Sequence, residues 1–408
     1  MTVRSGEQRG ASHREIALTP STGTHRPGRP KSRSSVGRGV HGFWEQGTRT
    51  DGAEGAAMSG PLYVPVLPAR AHATAVFERL SRDVRAVIRP LWNLPPFPGG
   101  TPKTLATAVG KYVDPASAKS RHGGWIDAPF GEQDQTEALA EALSVYCEFG
   151  LLRPVTGPER AEAQQTAAVV TARRGSRGLG IRVRVTGEWD GRSGDDVRSL
   201  LARAGPELPL DLLVDMGAVP SVRSDAGKEA LRALDALMPL ADWRSAALLG
   251  GGVPTVTADM LEEGPWEEPR GDWWMWREVR TSGRAYAPEL CYGDYGVQPA
   301  SALAQAPDPG RKGAPAWGVL RYTTESSYLL FKTLTRGPDR IAVNRAAARR
   351  ITQLPGFRGA GAGPGEQWLC ECANGPLSTG EGTGGPKEWL QMGNLQHMTY
   401  VVRSLTDG

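Results

Sequence analysis

From Tyr63 onward, short apolar runs that end in a charged residue alternate with helix-like stretches, and this rhythm leaves few architectures open. Repeated strand–helix alternation builds a parallel sheet. In parallel sheets a ligand lies outside the carboxyl ends of the strands. The rhythm therefore predicts both a fold class and the end of the sheet where a site belongs.

The first strand is expected at Tyr63–Leu67, followed by a helix over about 73–84 and a second strand at Ala86–Leu91. A Pro-rich loop, Asn93–Pro102, leads to a helix near 104–112 and a strand at Trp125–Asp127. In Thr136–Phe149, Leu139, Leu143, Tyr146 and Cys147 recur at helical spacing. Strands then follow at Gly150–Val155, Gly180–Val185, Leu210–Asp215 and Ala246–Gly250. Helices at Glu159–Thr171, Asp195–Arg203 and Asp225–Met238 separate them. Further strand-like runs are Glu289–Tyr292, Trp317–Tyr322 and Tyr328–Lys332, and a last helix covers Pro386–Leu405.

About eight strands in some 350 residues fit a (β/α)8 barrel with insertions. An open doubly wound sheet is the alternative. It usually shows a Gly-rich first turn, whereas Pro-Ala-Arg-Ala-His follows Leu67 here. Arg89-Pro90-Leu91 and Arg153-Pro154-Val155 repeat two units apart, as a closed barrel would have it. Two segments break the rhythm. Residues 254–285 carry Trp266, Trp273, Trp274 and Trp276 among many charges and read as an elaborated insertion with a helix near Trp273–Glu278. Residues 355–387 are Gly-rich and read as a mobile loop.

Charge separates the chain into two parts. Residues 1–57 hold nine Lys/Arg and five Asp/Glu, with little apolar periodicity. They read as a disordered basic tail, or as residues that are not translated, since Met58 is followed by Ser59-Gly60-Pro61 and then the first strand. Residues 58–408 hold 39 charges of each sign. A neutral body argues against broad phosphate-backbone binding but allows one small basic pocket.

The cysteines Cys147, Cys291, Cys370 and Cys372 form no disulfide-like framework, which points to a reducing, cytoplasmic compartment. No apolar run is long enough to span a bilayer. One residue separates Cys370 from Cys372, too tight for the usual zinc knuckle, so no metal site is expected. No P-loop, paired-His zinc motif, nucleophile elbow or kinase signature is present, and no cofactor is implied.

The strand-end charges are Arg89, Asp127, Arg153, Arg182, Arg184, Asp215, Asp294 and Arg321. In a barrel many of them would share one mouth. Arginine there suits phosphate or carboxylate, because its planar fork meets two oxygens at once. Asp215 and Asp294 are the candidate catalytic carboxylates. Tyr295, in the tight Tyr292-Gly293-Asp294-Tyr295-Gly296 turn, offers a ring to stack and a hydroxyl, and Tyr322 follows Arg321. The expected ligand set is thus Arg153, Arg182, Arg184, Asp215, Asp294, Tyr295, Arg321 and Tyr322. The competing reading is a layer of Arg–Asp pairs that closes the barrel without chemistry. His122 and His397 have no acid and nucleophile near them in sequence.

Tyr63-Val64-Pro65-Val66-Leu67, Arg89-Pro90-Leu91, Leu212-Leu213-Val214-Asp215, Gly293-Asp294-Tyr295, Arg321-Tyr322-Thr323, and Trp389 eight residues before His397 occur in that order. Together they make the chain resemble the Beta protein family of tailed phages and bacteria, from about Leu62 to the carboxyl terminus. The resemblance implies a barrel-like α/β fold and a link to phage or mobile-element biology or host defence, with no established enzymatic activity. It also leads one to expect an acidic residue at the end of the second strand, where this chain has Leu91-Trp92-Asn93.

Two functions follow from different classes. One is an anion site at the barrel mouth for a phosphorylated or nucleotide-like molecule, in a hydrolase or a sensor. The other is a non-catalytic interaction protein whose Trp-rich insertion meets a protein partner.

Overall fold

The computed structural model describes residues 62–306, 313, 315–377 and 382–407. The basic 1–57 tail lies outside them. Eight parallel strands close into a barrel, which excludes the open doubly wound sheet. β1 (Tyr63–Pro68) is followed by α1 (Ala71–Arg79) and α2 (Arg82–Val87), then β2 (Leu91–Asn93) and α3 (Pro102–Lys119). β3 (Gly124–Asp127), α4 (Thr136–Glu148), β4 (Leu152–Thr156), α5 (Glu162–Gly175), β5 (Leu179–Arg184) and α6 (Gly191–Ala204) continue the alternation. β6 (Leu210–Ala218), α7 (Ala226–Leu237) and β7 (Trp243–Gly251) complete seven staves.

The chain then leaves the barrel for β8 (Trp266–Pro269) and α8 (Gly271–Arg280) before the eighth stave, β9 (Cys291–Asp294). β9 pairs with β7 through Leu248 and Tyr292 and with β1 through Tyr63 and Tyr292. That double pairing is the closure. β10 (Trp317–Thr323) and β11 (Ser327–Leu334) form an antiparallel hairpin, and β8 joins it to make a separate three-stranded sheet. α9 (Arg340–Thr352), α10 (Pro364–Asn374) and α11 (Pro386–Thr406) end the chain.

The second strand begins later than its sequence suggests. Residues 82–87 are helical, Ile88 makes one bridge to Tyr63, and β2 starts after Pro90. Proline has no N–H to give the ladder, so continuous pairing starts beyond it. The Gly-rich 355–387 stretch is likewise not a loop throughout. It contains α10, which buries Trp368, Leu369, Cys372 and Ala373 along one face. The glycines cluster outside that helix and conceal its periodicity.

α11 holds the two sheets together. Its buried face packs on β10 and α1, with Trp389, Leu395, Met398 and Val401 enclosed. Gly293 shows how tightly β9 is seated. A Cβ there would collide with Leu249 and lie 2.7 Å from the Val64 carbonyl oxygen. Gly293→Ala is therefore expected to lower stability by about 1–3 kcal/mol through overpacking, as read by urea unfolding. Unchanged stability would show that β9 has room to shift.

Two of the four tryptophans of the Trp-rich insertion are internal. Trp273 and Trp276 are buried against Tyr292, at ring-centroid distances of 5.1 and 5.5 Å. Trp266 and Trp274 stay partly exposed. No helix among the described residues is long and apolar enough to cross a membrane.

Candidate functional site

Strand residues alternate between the inside and the outside of the barrel. Arg182 and Arg184 of β5, Asp211, Leu213 and Asp215 of β6, and Tyr295 just past β9 all fall on the inside parity. Leu213 and Tyr295 belong to the apolar interior cluster with Val64, Trp125 and Leu249. At the carboxyl end this interior is closed by a polar layer built around one guanidinium.

Arg182, 4 % exposed, donates from Nε and Nη2 to Asp215 Oδ2 at 3.0 and 2.7 Å. Its Nη1 donates to Asp127 Oδ2 and to Asn93 Oδ1, both at 2.7 Å. Its Nη2 also reaches the Tyr295 hydroxyl at 3.1 Å. Tyr295 in turn donates to Asp215 at 2.7 Å, and the Gly217 amide donates to the same carboxylate at 2.9 Å. Arg160, just past β4, reaches both Asp127 oxygens at 3.3 Å and binds Glu159 at 2.9 Å.

Burial opposes charge on Arg182 and Asp215 alike. Their mutual attraction wins, so Arg182 is held well above its ordinary value. Asp215 is held below the carboxylate range by Arg182, the Tyr295 hydroxyl and the Gly217 amide. Burial beside Asp215 pushes the Tyr295 phenol up. Asp215 is therefore an ionised, fully hydrogen-bonded carboxylate and a weak base, poorly matched to proton transfer near neutral pH.

Arg184 differs from every member of this layer. It stands two residues beyond Arg182 on the same side of β5, at the rim, in register with Asp215. Its side chain is exposed and makes no hydrogen bond or ion pair among the described residues.

The other expected ligands are dispersed. Arg153 is the second residue of β4 and lies at the opposite, amino-terminal end of the barrel. There it stacks over Trp125 at 5.3 Å and binds Asp211 at 3.2 Å. Asp211 also accepts from Trp125 Nε1, Ser245 and Arg244. Arg89 precedes β2 at that end and donates to the Ala86 and Ile88 carbonyls. The Arg-Pro echo thus marks the starts of strands rather than their ends. Arg321 and Tyr322 belong to β10, in the separate sheet. Arg321 donates to the Val319 carbonyl, and the Tyr322 hydroxyl accepts from the Arg358 amide.

Asp294 has the outside parity. Its carboxylate accepts from Tyr63 at 2.6 Å, from the Gly296 amide at 2.8 Å, and pairs with His397 Nε2 at 2.8 Å. His397 Nδ1 lies 3.0 Å from the Thr323 hydroxyl. Hydroxyl, imidazole and carboxylate stand in the order of a nucleophilic relay. All three are wholly buried, so no substrate reaches the hydroxyl. Next to it, Tyr292 and Tyr328 donate to Asp272 at 2.6 and 2.7 Å, and Arg270 lies under Trp273, Tyr328 and Tyr400. Burial raises Asp272. In Asp294, burial is outweighed by His397 and the donated hydrogen bonds, and its value is lowered. This network fixes α8, α11 and the three-stranded sheet to the barrel wall.

Asn93 and Arg160 are members of the mouth layer that the expected ligand set does not contain. Asn93 carries a signal in hindsight, since it shares the inward parity of Leu91. At the position where the family resemblance implies an acid, its amide oxygen supplies a neutral acceptor to Arg182. No cluster of three metal-ligating side chains occurs among the described residues, and the four cysteines are unpaired.

A family model described as Beta protein matches residues 63–403, most of the chain. No curated protein matches it.

Proposed function

The chain belongs to the Beta protein family, and from that premise and the barrel geometry we propose that the carboxyl-terminal mouth binds a phosphorylated or nucleotide-like anion through Arg184. The observation that carries this reading is the guanidinium of Arg184, exposed and unpaired among the described residues, above a layer whose other charges are spent on one another. A planar fork of donors at a barrel mouth is suited to two oxygens of a phosphate or carboxylate. The Arg182 layer is the rigid floor beneath it.

Recognition is favoured over catalysis. Asp215 is locked by Arg182 and Tyr295, and Asp294 points away from the mouth. A sensor of a small phosphorylated molecule suits the phage, mobile-element or defence setting that the resemblance implies, and the four unpaired cysteines suit the cytoplasm.

The experiment is thermal melting of the full chain against nucleotides and sugar phosphates. A ligand at ~100 times its dissociation constant adds roughly 2.7 kcal/mol. A rise of a few degrees is expected for the wild type and none for Arg184→Ala, with equal melting of the two unliganded proteins. A shift that persists in Arg184→Ala, or a flat panel, would refute the site.

A further inference from the structure

The body of the chain is neutral in total, but its cations are not evenly placed. Between Lys332 and Arg358 there are seven Lys/Arg and one carboxylate, Asp339. These cations sit on β11, on the turn after it, along α9 and just beyond it. Most arginines at the barrel ends are paired with Asp or Glu. Here Arg358 binds Glu366, whereas Lys332, Arg336, Arg340, Arg345, Arg349 and Arg350 make no ion pair among the described residues.

α9 turns one face inward through Asn344, Ala347, Ala348 and Ile351. Its other side exposes Arg349 and Arg350, with Ala342 and Ala346 between the cations and Arg336 in the preceding turn. From Arg340 to Arg350 the helix rises about 15 Å. The arginines are anchored without being used up. Arg340 donates to the Gly384 carbonyl, Arg349 Nε to the Ala373 carbonyl, and Arg350 lies over the Phe331 ring at 6.0 Å. A guanidinium has five N–H donors, so each of these contacts leaves further donors unused, and Arg349 and Arg350 are exposed. Glu262 and Glu263 are in the segment across the adjoining groove, where Leu261, Phe331, Val343 and Arg350 line a space of about 260 Å³.

The chemistry of this face selects among polyanions. A helix that lies on a membrane presents Trp, Phe or Leu opposite its charges. A protein interface needs an apolar or aromatic centre. Here Ile341 is the single large apolar side chain of α9 that is exposed, and the remainder is guanidinium and alanine methyl. We propose that the α9 face docks the phosphate backbone of a nucleic acid. Such contacts position a strand without reading its bases. The surface is distinct from the barrel mouth and does not depend on the ligand there.

The test is fluorescence anisotropy of a labelled ~20-nucleotide DNA, single-stranded and duplex, with the full chain between ~50 and ~200 mM salt. The wild type is compared with Arg336→Gln/Arg349→Gln/Arg350→Gln and with the matching triple Arg→Lys variant. Each lost phosphate contact lowers the log–log salt slope by about 0.7–0.9. The Gln variant is expected to bind at least tenfold more weakly with a slope reduced by about two, while the Lys variant keeps most of both. Because Arg349 also caps α10, Arg336→Glu/Arg350→Glu repeats the loss of charge without touching that contact. Equal affinity and slope in the Gln or Glu variants would overturn the proposal. So would absence of DNA binding by the wild type, or binding to phosphatidylserine vesicles in its place.

Discussion

Replacing Arg182 with methionine is expected to cost about 3–5 kcal/mol of stability, the largest single effect at the barrel mouth. The substitution keeps much of the side chain's bulk, so packing is a minor part of the loss. What it removes is the cation between Asp127 and Asp215, both wholly buried. Two carboxylates then face each other with Arg160 as the remaining counterion of Asp127. Urea unfolding at neutral pH measures this as a lower midpoint. The effect carries a pH signature. Asp215 is lowered in the fold, against an unfolded value of about 3.9. Its contribution is therefore complete above that value and disappears as pH falls through the lower folded value. The gap between wild type and Arg182→Met should narrow below about pH 4. A gap independent of pH would mean that shape, and not the ion pairs, is what Arg182 supplies.

Asp294→Ala is expected to be nearly as damaging, at about 3–5 kcal/mol, for a different reason. The alanine leaves the Tyr63 hydroxyl and the Gly296 amide without an acceptor and His397 without its carboxylate. Each unsatisfied buried group costs about 1–3 kcal/mol. Asp294→Asn keeps one oxygen for Tyr63 and should lose roughly half as much. The loss should also loosen the region that His397 tethers, so limited proteolysis should cut near α11 sooner than in the wild type. An Asp294→Ala protein as stable and as resistant as the wild type would show that hydrophobic packing of α11 alone holds it.

Sequence periodicity reached the barrel because seven of the eight staves keep a buried run next to a helix. It placed β2 too early because apolar character was counted through Ile88 and Leu91, while Pro90 decides where pairing can start. It also missed β8, whose Trp266-Glu267-Glu268-Pro269 has no apolar run and is held by its partner β11. α10 was hidden by the glycines on either side of it.

The site was half legible. Arg182, Asp215 and Tyr295 meet at one point because each lies at a strand end with inward parity. Strand ends alone do not fix parity, and Asp294, one residue from Tyr295, falls on the outer wall. Arg153 was misplaced end for end, since an Arg-Pro pair looks the same at the start of a strand as at its finish. Asn93 stands out in the sequence only as a departure from the acid that the resemblance implies, and its lack of charge hides that Arg182 needs its oxygen. The basic face of α9 was cancelled in the net charge, because acids elsewhere in the body balance it.

The direct test of the mouth as an anion site is diffraction from crystals of the full chain soaked in inorganic pyrophosphate. Density for the anion is expected on the Arg184 guanidinium at the carboxyl end of β5, lost in Arg184→Ala, with the Arg182 layer unmoved beneath it. An empty mouth at saturating pyrophosphate, or an anion bound only elsewhere, would contradict it.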